Sequence, residues 1–353
     1  MELTIGKHLR GLTGPILITG HTGFKGTWLT FLLERIGVPV VGLSLQPERG
    51  SLFDRANRIG LIPEAFFDIR DVEAVTKFVV DLKPSAIIHM AAQPLVLKSY
   101  KTPRETFEIN VMGTVNILSA AFKSDSVKVI VVVTTDKVYQ NDNSRIAFVE
   151  SHPLFGKDPY SASKVGTEAA VASWQQIAKV SGGPKVVSVR AGNVIGGGDW
   201  AIDRLLPDLV RSFISGVKMT VRNPASTRPW QHVLDPLNGY LMALEAQIRG
   251  ESFTSVNFGP DSESLAVSRI VEVACNAWPY KTEVELEHHS VINFTETDSL
   301  QLNSNYAREH LGWGARWSQE EAVVATIKWW DKVINSGIDP SIACHSEIEH
   351  LLK

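Results

Sequence analysis

Tyr160 and Lys164 stand four residues apart in Tyr160-Ser-Ala-Ser163-Lys164, a spacing that puts a phenol and an ammonium on one face of a helix. A neighbouring cation favours the phenolate, so the pair predicts a phenol pKa drawn down toward neutrality and suited to proton transfer. Such pairs are also ordinary surface neighbours, and what gives this one weight is its setting. Thr134-Thr135-Asp136-Lys137 directly follows the most hydrophobic run of the chain, Val127 to Val133, which places it at the carboxyl end of a buried strand, where open α/β sheets bind their ligands. A proton-transfer pair beside such a strand end is what a hydride reaction on an alcohol needs.

A hydride reaction also needs a carrier, and a place for one lies near the N-terminus. Ile16-Leu-Ile-Thr-Gly20-His-Thr-Gly23-Phe-Lys-Gly26 reads as a strand, three glycines at spacing three and the start of an amphipathic helix running to Ile36. Glycines admit an anion close to the backbone, and the first helical turn offers it free N–H groups and a favourable dipole. Gly20, Thr22, Gly23, Phe24, Lys25 and Gly26 are therefore candidate dinucleotide contacts. After the second strand the chain reads Ser44-Leu45-Gln46-Pro47-Glu48-Arg49, with no carboxylate at the strand end for ribose hydroxyls and an arginine that suits a 2′-phosphate, so spacing leaves NAD and NADP both open. Asp68 is a candidate acceptor for the adenine amino group and equally a loop or capping aspartate.

The elements that position these residues alternate. Strands are expected at Val38 to Leu45, Ala65 to Asp68, Ala86 to Ala92, Val127 to Val133 and Val186 to Arg190. Helices are expected at Asp71 to Leu82, Pro103 to Phe122 and Tyr160 to Lys179. That rhythm predicts an α/β fold, a Rossmann-type doubly wound parallel sheet over residues 1–192, rejoined by about 234–260. Beyond Arg190 glycine- and proline-bearing loops alternate with shorter helices at Asp203 to Ser215, Pro236 to Ile248, Val267 to Trp278 and Gln319 to Ile334, which assigns 193–353 mainly to a smaller α/β substrate-binding part. The tail from Ser336 carries no readable signal. With 353 residues, 44% of them hydrophobic, a full core can form, and a net charge of -3 without a basic run argues against nucleic acid. Two distant cysteines, Cys275 and Cys344, suit neither a disulfide scaffold nor a metal cluster, and no signal peptide or membrane span is evident, so a cytoplasmic, soluble protein without a metal is expected.

Taken together, Gly20-His-Thr-Gly-Phe-Lys-Gly26, His89-Met-Ala-Ala-Gln-Pro94, Asn110-Val-Met-Gly-Thr114, Asp136-Lys137, Asp158-Pro-Tyr160, Arg190 to Trp200 and Arg228-Pro-Trp-Gln-His-Val233 resemble the extended short-chain dehydrogenase/reductase superfamily, and within it the CDP-glucose branch of the nucleotide-sugar 4,6-dehydratases. The resemblance spans about residues 15 to 335, and Asn193 to Trp200 and Arg228 to Val233 are its specific part. It implies resident NAD, touched also by Ile69, Ala91, Ala92, Gln93, Asn110, Thr134, Tyr160 and Lys164. In that scheme Tyr160, with Lys164 and Thr135, takes the proton of the sugar 4-hydroxyl as hydride leaves carbon 4. The ketone acidifies carbon 5, Asp136 protonates the departing 6-hydroxyl, and hydride returns to carbon 6. Related dTDP-glucose enzymes carry Asp-Glu where this chain has Asp136-Lys137. Lys137 assists at carbon 5 only if burial or a nearby cation depresses its pKa. For the nucleotide sugar the candidates are Gln93, Asn193, Trp200, Arg204, Arg222, Arg228 and His232, the arginines for diphosphate and Trp200 for stacking or simply for filling a small core. Leu97 and Asn303 depart from the pattern. The alternatives are a 4-epimerase, which needs no acid at carbon 6, and a dinucleotide sensor without catalysis. The resemblance also implies a homodimer built from the helices Pro103 to Phe122 and Tyr160 to Lys179.

Overall fold

A computed structural model describes residues 5–142, 146–287 and 299–353, apart from the side chain of Arg222. In chain order the first half comprises β1 (Ile16–Thr19), α1 (Phe24–Arg35), β2 (Val40–Ser44), α2 (Leu52–Arg55), β3 (Glu64–Phe66), α3 (Val72–Leu82), β4 (Ala86–His89), α4 (Val96–Lys101), α5 (Pro103–Phe107), α6 (Gly113–Phe122), β5 (Val129–Val133), α7 (Pro159–Ser181) and β6 (Lys185–Ala191). Then follow β7 (Val194–Ile195), α8 (Leu205–Ser215), β8 (Met219–Arg222), β9 (Thr227–Arg228), β10 (Gln231–His232), α9 (Leu234–Ile248), β11 (Ser255–Phe258), β12 (Leu265–Ala266), α10 (Val267–Ala277), β13 (Val284–Glu287), α11 (Gln319–Ile334) and α12 (Pro340–Leu352).

Seven strands form one sheet in the order β11-β6-β5-β4-β1-β2-β3, every pair parallel. Strand order reverses between β1 and β4, so a crevice opens beyond the carboxyl ends of these two strands. Side chains alternate across the sheet, and each face has its own core. Ile16 and Ile18 of β1, Ile88 of β4 and Val131 of β5 join one cluster with α1, α9, α11 and α12. Leu17, Ile87, Ile130 and Val132 join the other, under α3, α6 and α7. Being buried on both faces explains why these strands read as continuous apolar runs.

One expectation needs correction, and one stretch without a readable signal turns out to be structured. Residues 103–122 do not form one uninterrupted α-helix: a π turn at Glu108–Met112 separates α5 from α6. The wider turn presents the carbonyl of Asn110 to two hydroxyls, Thr114 Oγ1 at 2.7 Å and Thr167 Oγ1 of α7 at 2.8 Å, which anchors the α6 side of the site to α7. The tail is not featureless either. Asp339 caps α12, Cys344 and Ile348 are fully buried, and the helix packs on α1 and α11. Its pattern is hard to read because its buried face is short and mixed with polar residues.

Candidate active site

Thr19 organises the crevice: its hydroxyl accepts from the backbone N–H of Met90 and Ala91 and meets His89 Nδ1 at 2.6 Å. His89 is bonded on its other side to Thr114, and burial pushes its pKa down to about 3, so it is a neutral structural group. Gly20 turns with φ +78°, and a Cβ there would stand 2.8 Å from the backbone nitrogen of Ala91. At Gly26 a Cβ would meet the Gly20 carbonyl oxygen at 2.1 Å. Only glycine permits this close wrapping of loop, β4 end and first turn of α1, the cradle a pyrophosphate requires. Where a ribose carboxylate is commonly found, Thr22 Oγ1 and Ser44 Oγ pair at 2.7 Å, and Thr22 also donates to the Leu45 carbonyl.

The chemistry-bearing side chains converge at the end of β5. Lys164 Nζ donates to the carbonyl of Val133 at 3.1 Å, and burial pushes its pKa down to about 8 while Glu168 pulls it up. The Tyr160 phenol lies beside Thr135. Thr135 Oγ1 donates to Asp136 Oδ1 at 2.9 Å, so Thr135 stands between the phenol and the carboxyl group. The expected depression of the Tyr160 pKa is corrected here: burial pushes it up to about 12, with Thr135 and the charge of Arg204 opposing. Lys164 spends its ammonium on Val133, and desolvation of the phenolate outweighs the charges around it.

Burial likewise raises the pKa of Asp136, against the pull of Lys137, Thr135, Arg228 and Lys25. Its Oδ2 is a buried oxygen without a partner among the described residues. A Cβ on Gly192 would stand 2.9 Å from that oxygen, and Pro229 crowds the same position, so the Arg228-Pro229 turn closes over the carboxyl group. Lys25 extends from the glycine loop into this region and donates to Tyr240 Oη at 3.3 Å. Burial, then the charges of Arg204 and Lys164, push its pKa down to about 7. Arg204 is paired with Asp199 at 3.1 Å. Lys25 thus links the glycine loop after β1 to the side chains of Tyr160, Lys164, Asp136, Arg204 and Arg228 beyond the end of β5.

Other sequence candidates lie elsewhere or are already engaged. His232 is corrected from a substrate contact to a core residue: it is fully buried, its Nε2 meets Glu347 of α12 at 2.8 Å, and its ring packs on Trp28 and Trp317. β10 pairs with β7, His232 standing opposite Ile195. The Gln93 amide is spent on Leu95 and Thr106, its backbone N–H and carbonyl are both engaged by Asn110, and Asn110 also donates to Ser163. Trp200 packs on Trp330 with the guanidinium groups of Arg55 and Arg211 over its ring, so it completes a core. Thr134 donates to Glu168, and Asp68 is held by Arg70, which keeps its carboxyl group below the usual range. Ile69 is buried and Ala91 and Ala92 partly exposed beside the cradle, and Asn193 is half-buried next to the Gln231 pairing. The side chain of Arg222 lies outside the described ones. Sequence reasoning missed Glu168 and Tyr139, although Glu168 continues the Tyr160, Lys164 stripe by one more turn. Among the described residues no three His, Cys, Asp or Glu side chains gather to hold a metal, and no helix is long and apolar enough to cross a membrane.

Residues 16–259 match the model of the NAD dependent epimerase/dehydratase family. The chain belongs to this family. NAD is accordingly its cofactor. The CDP-glucose 4,6-dehydratase of Salmonella typhimurium strain LT2 is 39% identical over 325 residues, covering 89% of each chain. A dTDP-glucose 4,6-dehydratase of Xanthomonas campestris pv. campestris is 26% identical, covering 89% of this chain and 92% of its own. In fold, the chain matches the crystal structure of a UDP-glucose 4-epimerase from Thermotoga maritima with a TM-score of 0.79 at 20% identity, over 91% of this chain and 99% of that one. Dehydratases and epimerases therefore share this architecture, and the fold does not choose between them.

Proposed function

We propose that the protein is a nucleotide-sugar 4,6-dehydratase that converts CDP-glucose to its 4-keto-6-deoxy product. The observation that carries this reading is the buried Asp136, whose pKa is raised and whose carboxyl group accepts from Thr135, the neighbour of the Tyr160 phenol. A 4-epimerase needs the Tyr160 and Lys164 pair but no acid for a leaving 6-hydroxyl. The Salmonella relative supports the cytidine nucleotide.

NAD held by the glycine loop would supply the hydride chemistry at carbons 4 and 6. Tyr160 takes the 4-hydroxyl proton, and Thr135 orients the phenol. Asp136, whose burial favours the protonated form, delivers a proton to the departing 6-oxygen, a role for which its Oδ2 has no hydrogen-bond partner among the described residues. Lys137 lies next to it on the same turn and is assigned to the carbon 5 proton, a role that only its neutral amine can fill. Arg204 and Arg228 are assigned to the diphosphate, whose oxygens suit their planar forks. Thr22, Ser44 and the three glycines are assigned to the dinucleotide, and 193–233 with 261–353 to the substrate side. The protein is further read as a cytoplasmic homodimer, with α5, α6 and α7 as its contact helices.

Purified protein incubated with CDP-glucose should yield a nucleotide sugar lighter by one water. A change of epimer alone, or no turnover with any nucleotide sugar, would overturn the assignment.

A further inference from the structure

Glu168 lies on the same stripe of α7 as Tyr160 and Lys164, one turn further on. Its Oε1 accepts from Thr134 Oγ1 at 2.6 Å and Arg190 Nε at 2.8 Å, and its Oε2 from Ser188 Oγ at 2.8 Å and Arg190 Nη2 at 2.9 Å. Both side chains are 5% exposed. The remaining arm of Arg190 donates to Tyr139 Oη at 2.8 Å and to the Glu150 carbonyl at 3.1 Å. Tyr139 in turn donates to Asn257 Oδ1 at 2.7 Å. Thr134 and Tyr139 bracket the segment that carries Thr135, Asp136 and Lys137. One ion pair therefore holds both ends of that segment, the carboxylate at Thr134 and the guanidinium at Tyr139.

A buried pair loses much of its Coulombic gain to desolvation, so net stability is a weak reason for it. Its fork-to-carboxylate bonds do set direction and distance. We propose that Glu168 and Arg190 are positioning residues that fix the elimination groups Asp136 and Lys137 relative to the proton-transfer face of α7. The inference rests on the dehydratase reading above. Tyr160 and Lys164 ride on α7 itself, so loosening the pair shifts Asp136 and Lys137 against them and slows elimination more than the first oxidation. A displacement near 1 Å at a reacting group costs on the order of 100-fold.

Glu168→Gln keeps the shape and removes the charge. It should lower kcat for dehydration about tenfold or more with KM changed less than about twofold, while absorbance of the reduced dinucleotide builds up during single turnover because elimination lags oxidation. Thr134→Val, which removes one bond and spares the ion pair, should show the same accumulation at smaller amplitude, and Thr134→Ser should abolish it. The threonine variants decide the matter alone if Glu168→Gln does not fold. Oxidation and dehydration falling in equal proportion, without accumulation, would mean that the pair merely supports the fold and would overturn the proposal. Wild-type protein that dehydrates no nucleotide sugar would overturn the dehydratase reading, and this proposal with it.

Discussion

At the scale of the residue, the opposed protonation states of Tyr160 and Asp136 make a prediction about pH. Tyr160 acts as a base only after losing a proton that burial makes harder to lose, so the oxidation step should speed up as pH rises. Asp136 acts as an acid only while protonated, and burial extends its protonated range upward. The elimination step should therefore slow as pH rises through that raised pKa. Dehydration should follow a bell whose falling limb disappears in Asp136→Asn together with most of the turnover. A loss of about 10²- to 10⁴-fold is expected for a missing general acid, with reduction of bound dinucleotide spared. A dehydration rate that climbs steadily with pH would contradict the assignment of Asp136. Tyr160→Phe should block both steps. These residues were legible before any coordinates because their signals are local: a helical spacing of four and a polar tetrad directly after an apolar strand. The engagement of Gln93, Asn110 and Trp200 was not, because each is settled by partners distant in sequence or by a π turn that no pattern of apolar residues reveals.

At the scale of the element, α12 has a defined task although its sequence reads as a plain tail. Glu347 satisfies the buried His232, which sits two residues beyond Trp230 and so ties the substrate-side turn to the C-terminal helix. Glu347→Ala leaves a buried ring nitrogen unpartnered and should cost about 1–3 kcal/mol of stability in denaturant melts. An unchanged melt would show that the pair is dispensable. Asp235 at the start of α9 is the complementary case. Its Oδ1 accepts from the Arg316 N–H at 2.6 Å, yet burial pushes its pKa from 3.8 up to about 6. Between those values the folded state holds a proton that the unfolded state has lost, so stability falls as pH climbs through this window and the loss persists above it. The stability difference between wild type and Asp235→Asn should shift by about 1–3 kcal/mol in favour of the variant from pH 4 to pH 7. A pH-independent difference would place the proton elsewhere. The long buried strands and the helices of the sheet could be read from the chain, since each spans enough residues to show a period. The two-residue strands β7 and β10, and with them the inward turn of His232, are set by tertiary pairing alone.

At the scale of the molecule, the surface of α4 to α7 poses the last question. These helices pack against one another. Tyr100, Phe107 and Met112 are 39, 41 and 51% exposed, and Ile177 and Val180 near the end of α7 are exposed as well. Single exposed apolar side chains are ordinary on a monomer, but large ones on adjoining helices suit a partner surface. The face of α7 that carries Tyr160, Lys164 and Glu168 is turned inward, so a second subunit can cover the outer face without obstructing the crevice. In a two-fold dimer each patch meets its own copy, and a charge placed there meets a like charge across the axis. Phe107→Glu combined with Met112→Glu should therefore convert a dimer to a monomer in sedimentation equilibrium. The expected accompaniment is a lower melting temperature with dehydration retained, because no side chain of the proton path belongs to the altered face. A wild-type protein that sediments as a monomer, or a variant that remains fully dimeric, would move the contact surface away from these helices.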